Sequence, residues 1–207
     1  TTSLNANGCA WADADNDGFL DLIITSWQGT PNALYYNRGD GTFSRSTLGT
    51  VGSDPGECIG AAWGDYDQDG FPDLYLANYG GANLLYHNQG NANHWLRIRP
   101  VGDTSNRSAI GARIRVKAMI GGNERWQLRE IHGAQGWGDQ GLDALFGLGE
   151  ATMADEVQID WPSGLTTRLT NVSSRQTLVV TEPPPALRIL PAVHGFNQSV
   201  TVTLLTP

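Results

Sequence analysis

Acidic residues recur at one spacing in two stretches of the sequence. The first is Asp13-Ala14-Asp15-Asn16-Asp17-Gly18-Phe19-Leu20-Asp21, and the second is Asp65-Tyr66-Asp67-Gln68-Asp69-Gly70-Phe71-Pro72-Asp73. Each stretch has carboxylates at positions one, three, five and nine, and a glycine at position six, where the backbone must turn sharply. Four carboxylates this close repel one another unless a cation binds among them.

Calcium is the cation that suits such a loop. Ca²⁺ takes about 6–8 oxygen ligands, which the carboxylates, the backbone carbonyl at position seven and water can supply. We therefore predict two Ca²⁺ ions, one in each loop. The predicted ligands are Asp13, Asp15, Asp17, Phe19 and Asp21 in the first loop, and Asp65, Asp67, Asp69, Phe71 and Asp73 in the second.

The helix-flanked EF-hand is the main alternative for a calcium loop. It requires a bidentate Glu at position twelve, whereas position twelve is Ile24 in one stretch and Leu76 in the other. The flanking segments are short and rich in apolar β-formers, without a helical period. We therefore expect strands on both sides, with each loop as the tip of a hairpin.

Calcium loops of this form between strands resemble the FG-GAP/VCBS repeats of integrin-α-like β-propellers. The resemblance extends beyond the loops, because Leu34-Tyr35-Tyr36-Asn37-Arg38-Gly39 is echoed by Leu85-Tyr86-His87-Asn88-Gln89-Gly90. It implies that residues 1–90 form two blade-like repeats, over 1–44 and 59–90. A closed propeller needs about four to eight blades. We therefore expect either a piece of a longer propeller or strand edges covered by another copy or partner.

Residues 91–182 have a different pattern. Five segments alternate apolar and polar residues, which predicts antiparallel strands with one buried face and hence a β-sandwich. This block is similar to the ASPIC/UnbV domain, which follows such repeats in secreted proteins. The matching residues are Ser105-Asn106-Arg107-Ser108-Ala109-Ile110-Gly111-Ala112, Arg129-Glu130-Ile131, Phe146-Gly147-Leu148-Gly149 and Trp161-Pro162-Ser163-Gly164.

The remaining residues, 183–207, form a tail. Pro183-Pro184-Pro185 predicts a stiff, extended spacer. The two strand-like pieces that follow, at 186–190 and 199–205, are too short to own a core and must pair with something. A rigid spacer followed by an alternating strand is the geometry of strand donation between subunits.

Composition agrees with an all-β fold and excludes several classes of function. The chain has 207 residues with 26 Gly, 10 Pro and only 16% charged residues, which indicates many turns. Its formal net charge is −8, and no basic patch is present to bind nucleic acid. No apolar run approaches the ~20 residues of a membrane span.

Calcium loops of this kind bind the ion where its concentration is millimolar, which suggests the cell exterior or periplasm. Without a secretory leader, we expect a mature or trimmed chain.

Some candidate sites remain open at this stage. Cys9 and Cys58 precede the two loops and could form a disulfide or stay as two buried thiols. Asn106, Asn171 and Asn197 lie in N-glycosylation sequons, which predicts a glycoprotein if the source has that machinery.

Tryptophan is abundant, with seven residues. We expect Trp11 and Trp63 to pack the repeat core, and Trp126 and Trp161 to pack the sandwich. Trp27, Trp137 and Tyr79 are candidates for stacking on sugar rings, with turn packing as the alternative.

These features favour a non-enzymatic, extracellular, calcium-binding structural or adhesion protein. Its incomplete repeat set and its tail suggest that it binds other copies of itself and forms a filament by strand exchange. The alternative is a carbohydrate-binding module of a larger secreted propeller protein. An enzyme is not expected, because the residues offer no set of nucleophile, base and orienting group.

Overall fold

The computed structural model describes residues 4–46, 51, 57–133 and 141–185. These residues form fourteen strands, which confirms the predicted all-β class. Among them there is no helix with the length and apolarity that crossing a bilayer requires. Trp137, Asn197 and the strand-like pieces of the tail lie outside the described residues. The strands are β1 (Ala6–Ala12), β2 (Asp21–Ser26), β3 (Ala33–Asn37), β4 (Phe43–Arg45), β5 (Cys58–Gly64), β6 (Asp73–Asn78), β7 (Leu84–Tyr86), β8 (His94–Val101), β9 (Arg113–Ile120), β10 (Asn123–Glu130), β11 (Ala144–Gly149), β12 (Met153–Asp160), β13 (Thr166–Ser173) and β14 (Gln176–Thr181).

The two repeats form two antiparallel, blade-like sheets, blade 1 in the order β1-β2-β3-β4 and blade 2 in the order β5-β6-β7. Each acidic loop joins the first two strands of its sheet, as the apolar β-forming flanks predict. The blades pack on each other through a shared apolar core. Its buried members are Ala14, Ile23, Leu34, Cys58, Ala61, Trp63, Leu74 and Leu76.

The expectation that both repeat tryptophans lie in this core is half right. Trp63 is 8% exposed, whereas Trp11, at the same repeat position, is 41% exposed and contacts the ring of Phe43. The difference arises from packing order, because blade 1 covers the face of blade 2 that carries Trp63. The equivalent face of blade 1 lies on the outside of the pair.

The second module is a sandwich of two sheets, in the orders β10-β9-β12-β13 and β11-β8-β14. Fully buried residues from both sheets, such as Leu96, Ile114, Phe146 and Ile159, fill the space between them. One pair departs from the antiparallel prediction, because β14 runs parallel to β8. The chain reaches β14 from β13 in the opposite sheet, so no tight hairpin constrains its direction.

The two tryptophans that we predicted in the core of the sandwich also differ in burial. Trp161 is buried, and its indole N–H donates to Thr167 Oγ1 at 2.9 Å. Trp126 is wrongly assigned to the core, because it lies on the exposed side of β10, at the edge of its sheet. There its ring lies 5.5 Å from the ammonium group of Lys117 on the neighbouring strand.

Sequence motifs of the sandwich meet at Glu182, just after β14. This buried carboxylate accepts hydrogen bonds from the backbone N–H groups of Asp103 and Ser105 and from the hydroxyls of Ser105 and Ser163. The bonds join the loop after β8, the turn after β12 and the end of β14. A buried carboxylate with this many donors fixes three distant segments in one place.

The first loop, residues 13–20, packs against the second loop and the sandwich. The side-chain amide of Asn16 donates to Gly70 O of the second loop at 2.9 Å, and Gly149 N donates to Asn16 O at 2.8 Å. Gly147 lies against the loop so closely that a Cβ there would overlap the Asp13 carboxylate and the Asn16 backbone. The Phe-Gly-Leu-Gly motif of β11 is therefore the strip on which the first loop docks.

This close approach gives a testable consequence. Replacing Gly147 with alanine is expected to destabilise the protein by about 1–3 kcal/mol, because the added methyl group must displace backbone rather than a flexible side chain. Thermal unfolding should then shift down by roughly 2–4 °C per kcal/mol. Gly64→Ala is the control, since no atom lies within 4 Å of a Cβ at that position. Equal melting temperatures for the two variants would contradict the tight docking.

Candidate calcium-binding loops

Each acidic loop brings three carboxylates together. Ligand oxygens of Asp13, Asp15 and Asp17 lie within 4.8 Å of one another, and the same holds for Asp65, Asp67 and Asp69. These are positions one, three and five of the two loops. Carboxylate oxygens in a small cluster are the ligands that Ca²⁺ prefers.

One hydrogen-bond scheme shapes both loops. The position-one carboxylate accepts the glycine N–H at position six, in Gly18 N to Asp13 Oδ2 (2.9 Å) and Gly70 N to Asp65 Oδ2 (2.8 Å). Both glycines have left-handed φ angles, of 93° and 94°, which L side chains rarely adopt. The resulting turn folds the carboxylates inward.

The position-nine carboxylates have a different setting. Asp21 accepts the backbone N–H groups of Ala14 and Asn37, at 2.9 and 2.8 Å. Asp73 likewise accepts those of Tyr66 and Asn88, at 3.1 and 2.8 Å. Each therefore connects the start of its loop to the end of the third strand of its blade. Their part in binding an ion stays a prediction, as does that of the Phe19 and Phe71 carbonyls.

Asn37 and Asn88 brace the two loops, which the spacing of the acidic residues did not reveal. Besides the bond to the position-nine carboxylate, Asn37 donates from its side chain to Leu20 O at 3.2 Å, and Asn88 donates to Pro72 O at 3.1 Å. The signal lay in the repeated Leu-Tyr-Tyr/His-Asn segment. That segment indicated a resemblance, but it did not indicate that its asparagine braces the loop.

The loops differ in how deeply they are buried. Asp13, Asn16 and Asp21 of the first loop are buried, whereas Asp67 and Asp69 of the second are exposed. His87 lies beside the second loop, with Nδ1 3.2 Å from Asp73 Oδ1 and 3.6 Å from Asp67 Oδ2. The two loops therefore share their local geometry but differ in burial and in the side chains around them.

Burial and mutual repulsion act on the carboxylates of the first loop. Burial raises the pKa of Asp13 well above its usual value, and the nearby charge of Asp17 raises it further. Burial also raises the pKa of Asp17 to about 6 and that of Asp21 to about 7, against backbone hydrogen bonds that lower both. Packing these groups without a cation therefore carries an electrostatic cost.

The sandwich supplies positive charge to both loops. The guanidinium of Arg97, on β8, contacts the Asp65 carboxylate, and Arg129, on β10, acts electrostatically on Asp13. The guanidinium of Arg125 lies 4.4 Å from the ring centre of Phe19. These arginines offset part of the negative charge of the loops and attach the repeats to the sandwich.

A divalent cation fits both loops. Within the described part of the chain, Asp13 Oδ1 and Asp65 Oδ1 are buried and have no hydrogen-bond partner. A buried carboxylate oxygen without a donor is costly, and a bound cation would satisfy it. The chemistry of the donor set, carboxylates alone at positions one, three and five, suits a hard ion such as Ca²⁺.

The two cysteines are free thiols that differ in burial. Neither cysteine forms a disulfide, so that alternative is wrong. Cys58 is buried, with its sulfur 3.3 Å from the side-chain nitrogen of Asn32, whereas Cys9 is exposed. The two thiols occupy non-equivalent repeat positions, since Cys9 corresponds to Ala61. The expectation that both are buried is therefore right for Cys58 only.

The predicted glycosylation positions are on the surface where they are described. Asn106 and Asn171 are both exposed. The Asn106 side chain exchanges two hydrogen bonds with the backbone of Ile110, at 2.8 and 2.9 Å, which occupies its amide in a turn. Asn171, in β13, has a left-handed φ of 55°. Attachment of a glycan at either position stays a prediction.

The raised carboxyl pKa values predict how stability depends on pH in the absence of metal. Because Asp17 and Asp21 titrate at higher pH in the folded state than in the unfolded chain, the folded state binds more protons between about pH 4 and pH 7. Chelated protein should therefore lose stability as the pH rises through this range. Denaturant unfolding at pH 5, 6 and 7 in EDTA measures this, and stability that rises over the interval would contradict it.

Two family models match successive parts of the chain. A family model described as an FG-GAP-like repeat matches residues 13–76, which span both loops, and one described as ASPIC and UnbV matches residues 102–186. No protein in a search of curated sequences matches the chain. FG-GAP repeats are typical of extracellular or secreted proteins. The chain therefore resembles extracellular-type repeat proteins, with a match to FG-GAP-like repeats followed by a match to an ASPIC and UnbV domain.

Proposed function

We propose that the chain is a non-enzymatic structural or adhesion protein of the cell exterior that binds two Ca²⁺ ions. One observation carries the proposal: the same carboxylate cluster, braced by the same hydrogen bonds, is built twice. A chance cluster of acidic residues would not repeat its glycine turn and its asparagine brace.

The ions have a structural role in this proposal. The first loop contacts the second loop and β11 of the sandwich, so its conformation affects how the modules pack. An ion there would offset the charge of buried carboxylates in the molecule's interior. Ligand binding to the folded state alone stabilises it by about 2.7 kcal/mol when the free ion is at 100 times its dissociation constant.

The surroundings of the loops support a non-enzymatic role. A cavity of about 630 Å³ lies between the repeats and the sandwich. Three of the acidic groups that line it are held by arginine, because Asp143 receives two hydrogen bonds from Arg99, at 2.9 and 2.6 Å, Glu130 accepts one from Arg113, and Asp65 contacts Arg97. The fourth, Asp13, is a proposed calcium ligand. A carboxylate held by an arginine is a weak candidate for a general base, since the charge favours its ionised, less basic form.

Self-assembly through the tail is the further part of the proposal. Blade 1 has four strands, and the described part of blade 2 has three, ending at β7. In blade 1 the fourth strand pairs with β3, which is the counterpart of β7. A donated strand could occupy the corresponding place in blade 2, and residues 199–205 have the alternating pattern that such a strand requires. Repeated donation between copies would produce a filament.

Isosteric substitutions test the calcium sites one at a time. Asp15→Asn and Asp67→Asn keep the oxygen that accepts the N–H of Asp17 or Asp69, but remove one clustered charge. Each variant should lose at least about tenfold in calcium affinity at its own loop, because ligand charge sets the affinity of such sites. Isothermal titration calorimetry would then count two ions in the wild type and one strong site in each variant.

Asp40→Asn is the matched control for this titration. Asp40 is exposed and accepts the N–H and hydroxyl of Thr42 in a turn outside both loops, at 2.9 and 2.6 Å. Its substitution should leave both sites unchanged. Absence of calcium binding to the wild type, or equal losses in all three variants, would refute the assignment.

A proline in the tail tests strand donation. Thr201→Pro removes a backbone N–H and distorts an extended strand, so it should abolish assembly that depends on the tail. Sedimentation velocity in calcium is the measurement, with Thr206→Pro, beyond the alternating segment, as the control. Assembly that is indifferent to Thr201→Pro would remove strand exchange from the proposal and leave calcium binding intact.

Carbohydrate binding is a second candidate function, favoured by one contact. The rings of Trp27 and Tyr79 lie 5.3 Å apart, and Tyr79 is exposed. Exposed aromatic pairs can stack on the apolar faces of sugar rings. Glycan-array binding that is lost in Tyr79→Ala and kept in Tyr66→Ala, another exposed tyrosine, would favour this candidate. An array with no binding to the wild type would exclude it for the glycans on that array.

A further inference from the structure

Hydrogen bonds join the two acidic loops directly, through residues whose backbone also holds a carboxylate. Asn16, at position four of the first loop, is fully buried, and its side-chain amide donates to Gly70 O of the second loop at 2.9 Å. The N–H of the same glycine donates to Asp65 Oδ2 at 2.8 Å. Asn16 therefore holds the residue that orients the position-one carboxylate of the other loop.

A second hydrogen bond runs in the opposite direction. Asn88, which braces the second loop, also donates from its side chain to Ala14 O in the first loop, at 2.7 Å. The N–H of Ala14 donates to Asp21 Oδ2 at 2.9 Å. Each loop thus has a predicted calcium ligand whose backbone donor is held by the other repeat.

The segment between blade 2 and the sandwich strengthens this connection. The side-chain amides of Asn91 and Asn93 both donate to Asp15 O, at 2.7 and 2.9 Å. Asp15 is position three of the first loop, and both asparagines follow the second repeat in the chain. The backbone beside two ligands of the first loop is therefore held from the second repeat and the segment after it.

The position-four residues of the two loops differ in their surroundings. Asn16 and Gln68 both have left-handed φ angles, of 57° and 64°, so the loops turn in the same way. Asn16 is buried between the loops, whereas Gln68 is exposed. Within the described part of the chain, the position-four bond between the loops comes from Asn16. Gln68 is therefore a matched position for comparison.

These contacts determine how filling one loop affects the other. Ordering a loop of repelling carboxylates is part of the cost of binding, and a loop that is already held in place pays less of it. A cation in one loop also weakens the negative potential that attracts a cation to the other. Because Asp67 and Asp69 are exposed, solvent and salt screen this opposing effect. We therefore expect the hydrogen bonds to determine the sign of the coupling.

We propose that the two loops bind calcium as a coupled pair, in which Asn16 positions the second loop for its ion. The inference rests on the proposed calcium binding and adds that filling either loop raises the affinity of the other. Linkage requires the same factor in both directions. Couplings between sites in proteins are typically about 5–150-fold, and we expect at least about fivefold here.

Emptying the second loop tests the coupling. Asp67→Asn with Asp69→Asn removes two charges but keeps the oxygens that accept the N–H groups of Asp69 and Phe71. Calcium titration of the full chain by two-dimensional NMR reports on each loop through the amides of Gly18 and Gly70, which donate to the position-one carboxylates. The Gly18 midpoint should move to at least about fivefold higher calcium, although every ligand of the first loop is unchanged.

Asn16→Gly tests the positioning role. Glycine suits the left-handed backbone, so the substitution removes the hydrogen bond to Gly70 without adding strain. The Gly70 midpoint should rise by at least about fivefold, although Asn16 contributes no carboxylate to either loop. Gln68→Gly is the control, and it should leave the Gly18 midpoint unchanged.

A double-mutant cycle separates positioning from local loosening of the first loop. In an Asn16→Gly background, emptying the second loop should shift the Gly18 midpoint less than it does in the wild type. If Asn16→Gly fails to unfold cooperatively, the reciprocal measurement replaces it. Asp15→Asn with Asp17→Asn should then shift the Gly70 midpoint by the factor found at Gly18.

The outcomes distinguish this inference from the proposed function. A Gly18 midpoint that stays in place when the second loop is emptied would overturn the coupling and leave calcium binding intact. Equal shifts with and without the Asn16 side chain would overturn its positioning role. If neither amide responds to calcium in the wild type, the proposed calcium binding fails as well.

Discussion

Buried negative charge is the constraint on which the structure depends. The first acidic loop lies between the second loop and the sandwich, with Asp13 and Asp21 removed from solvent. Burial raises the pKa of these carboxyl groups because the ionised form loses its hydration. Backbone N–H groups and the guanidinium of Arg129 offset only part of this cost. A divalent ion in the first loop would offset the repulsion among these carboxylates and so stabilise the contact between the repeats and the sandwich.

Much of the fold was predictable because its determinants are local. The loop spacing, the glycine at position six and the short apolar flanks specify hairpin tips without reference to the rest of the chain. Alternation likewise predicts the sandwich strands. The division of the chain into repeats and sandwich follows from these patterns, and the family matches agree with the order of the two modules.

The features that the sequence did not predict depend on long-range packing between sheets and modules. Local sequence patterns do not determine such packing. Trp11 and Trp63 have identical positions in their repeats, yet only Trp63 is covered by a neighbouring blade. Cys9 and Cys58 precede similar loops, but their side chains differ in burial. The parallel pairing of β14 with β8 depends on a path between sheets. The docking of Gly147 on the first loop is also a long-range contact, visible in the sequence only as a glycine in a short motif.

The two loops have the same carboxylate cluster, but an ion is expected to affect the molecule differently in each. Both loops contact the sandwich, the second through Asp65 and Arg97, but Asp67 and Asp69 of the second loop are exposed, whereas Asp13 and Asp21 of the first are buried. We therefore expect an ion in the first loop to contribute more to the stability of the whole molecule than an ion in the second. The same difference is seen at the repeat tryptophans, because Trp63 is buried while its counterpart Trp11 is 41% exposed.

The most direct test of calcium as the link between the modules is amide hydrogen exchange at Gly149, whose N–H donates to Asn16 O across the junction. Exchange can be followed by NMR in calcium and in chelator. We predict that calcium slows exchange at this amide by at least about tenfold, because opening the junction would also disturb the ion site. Equal exchange rates at Gly149 in the two conditions, with calcium bound in one of them, would contradict the account.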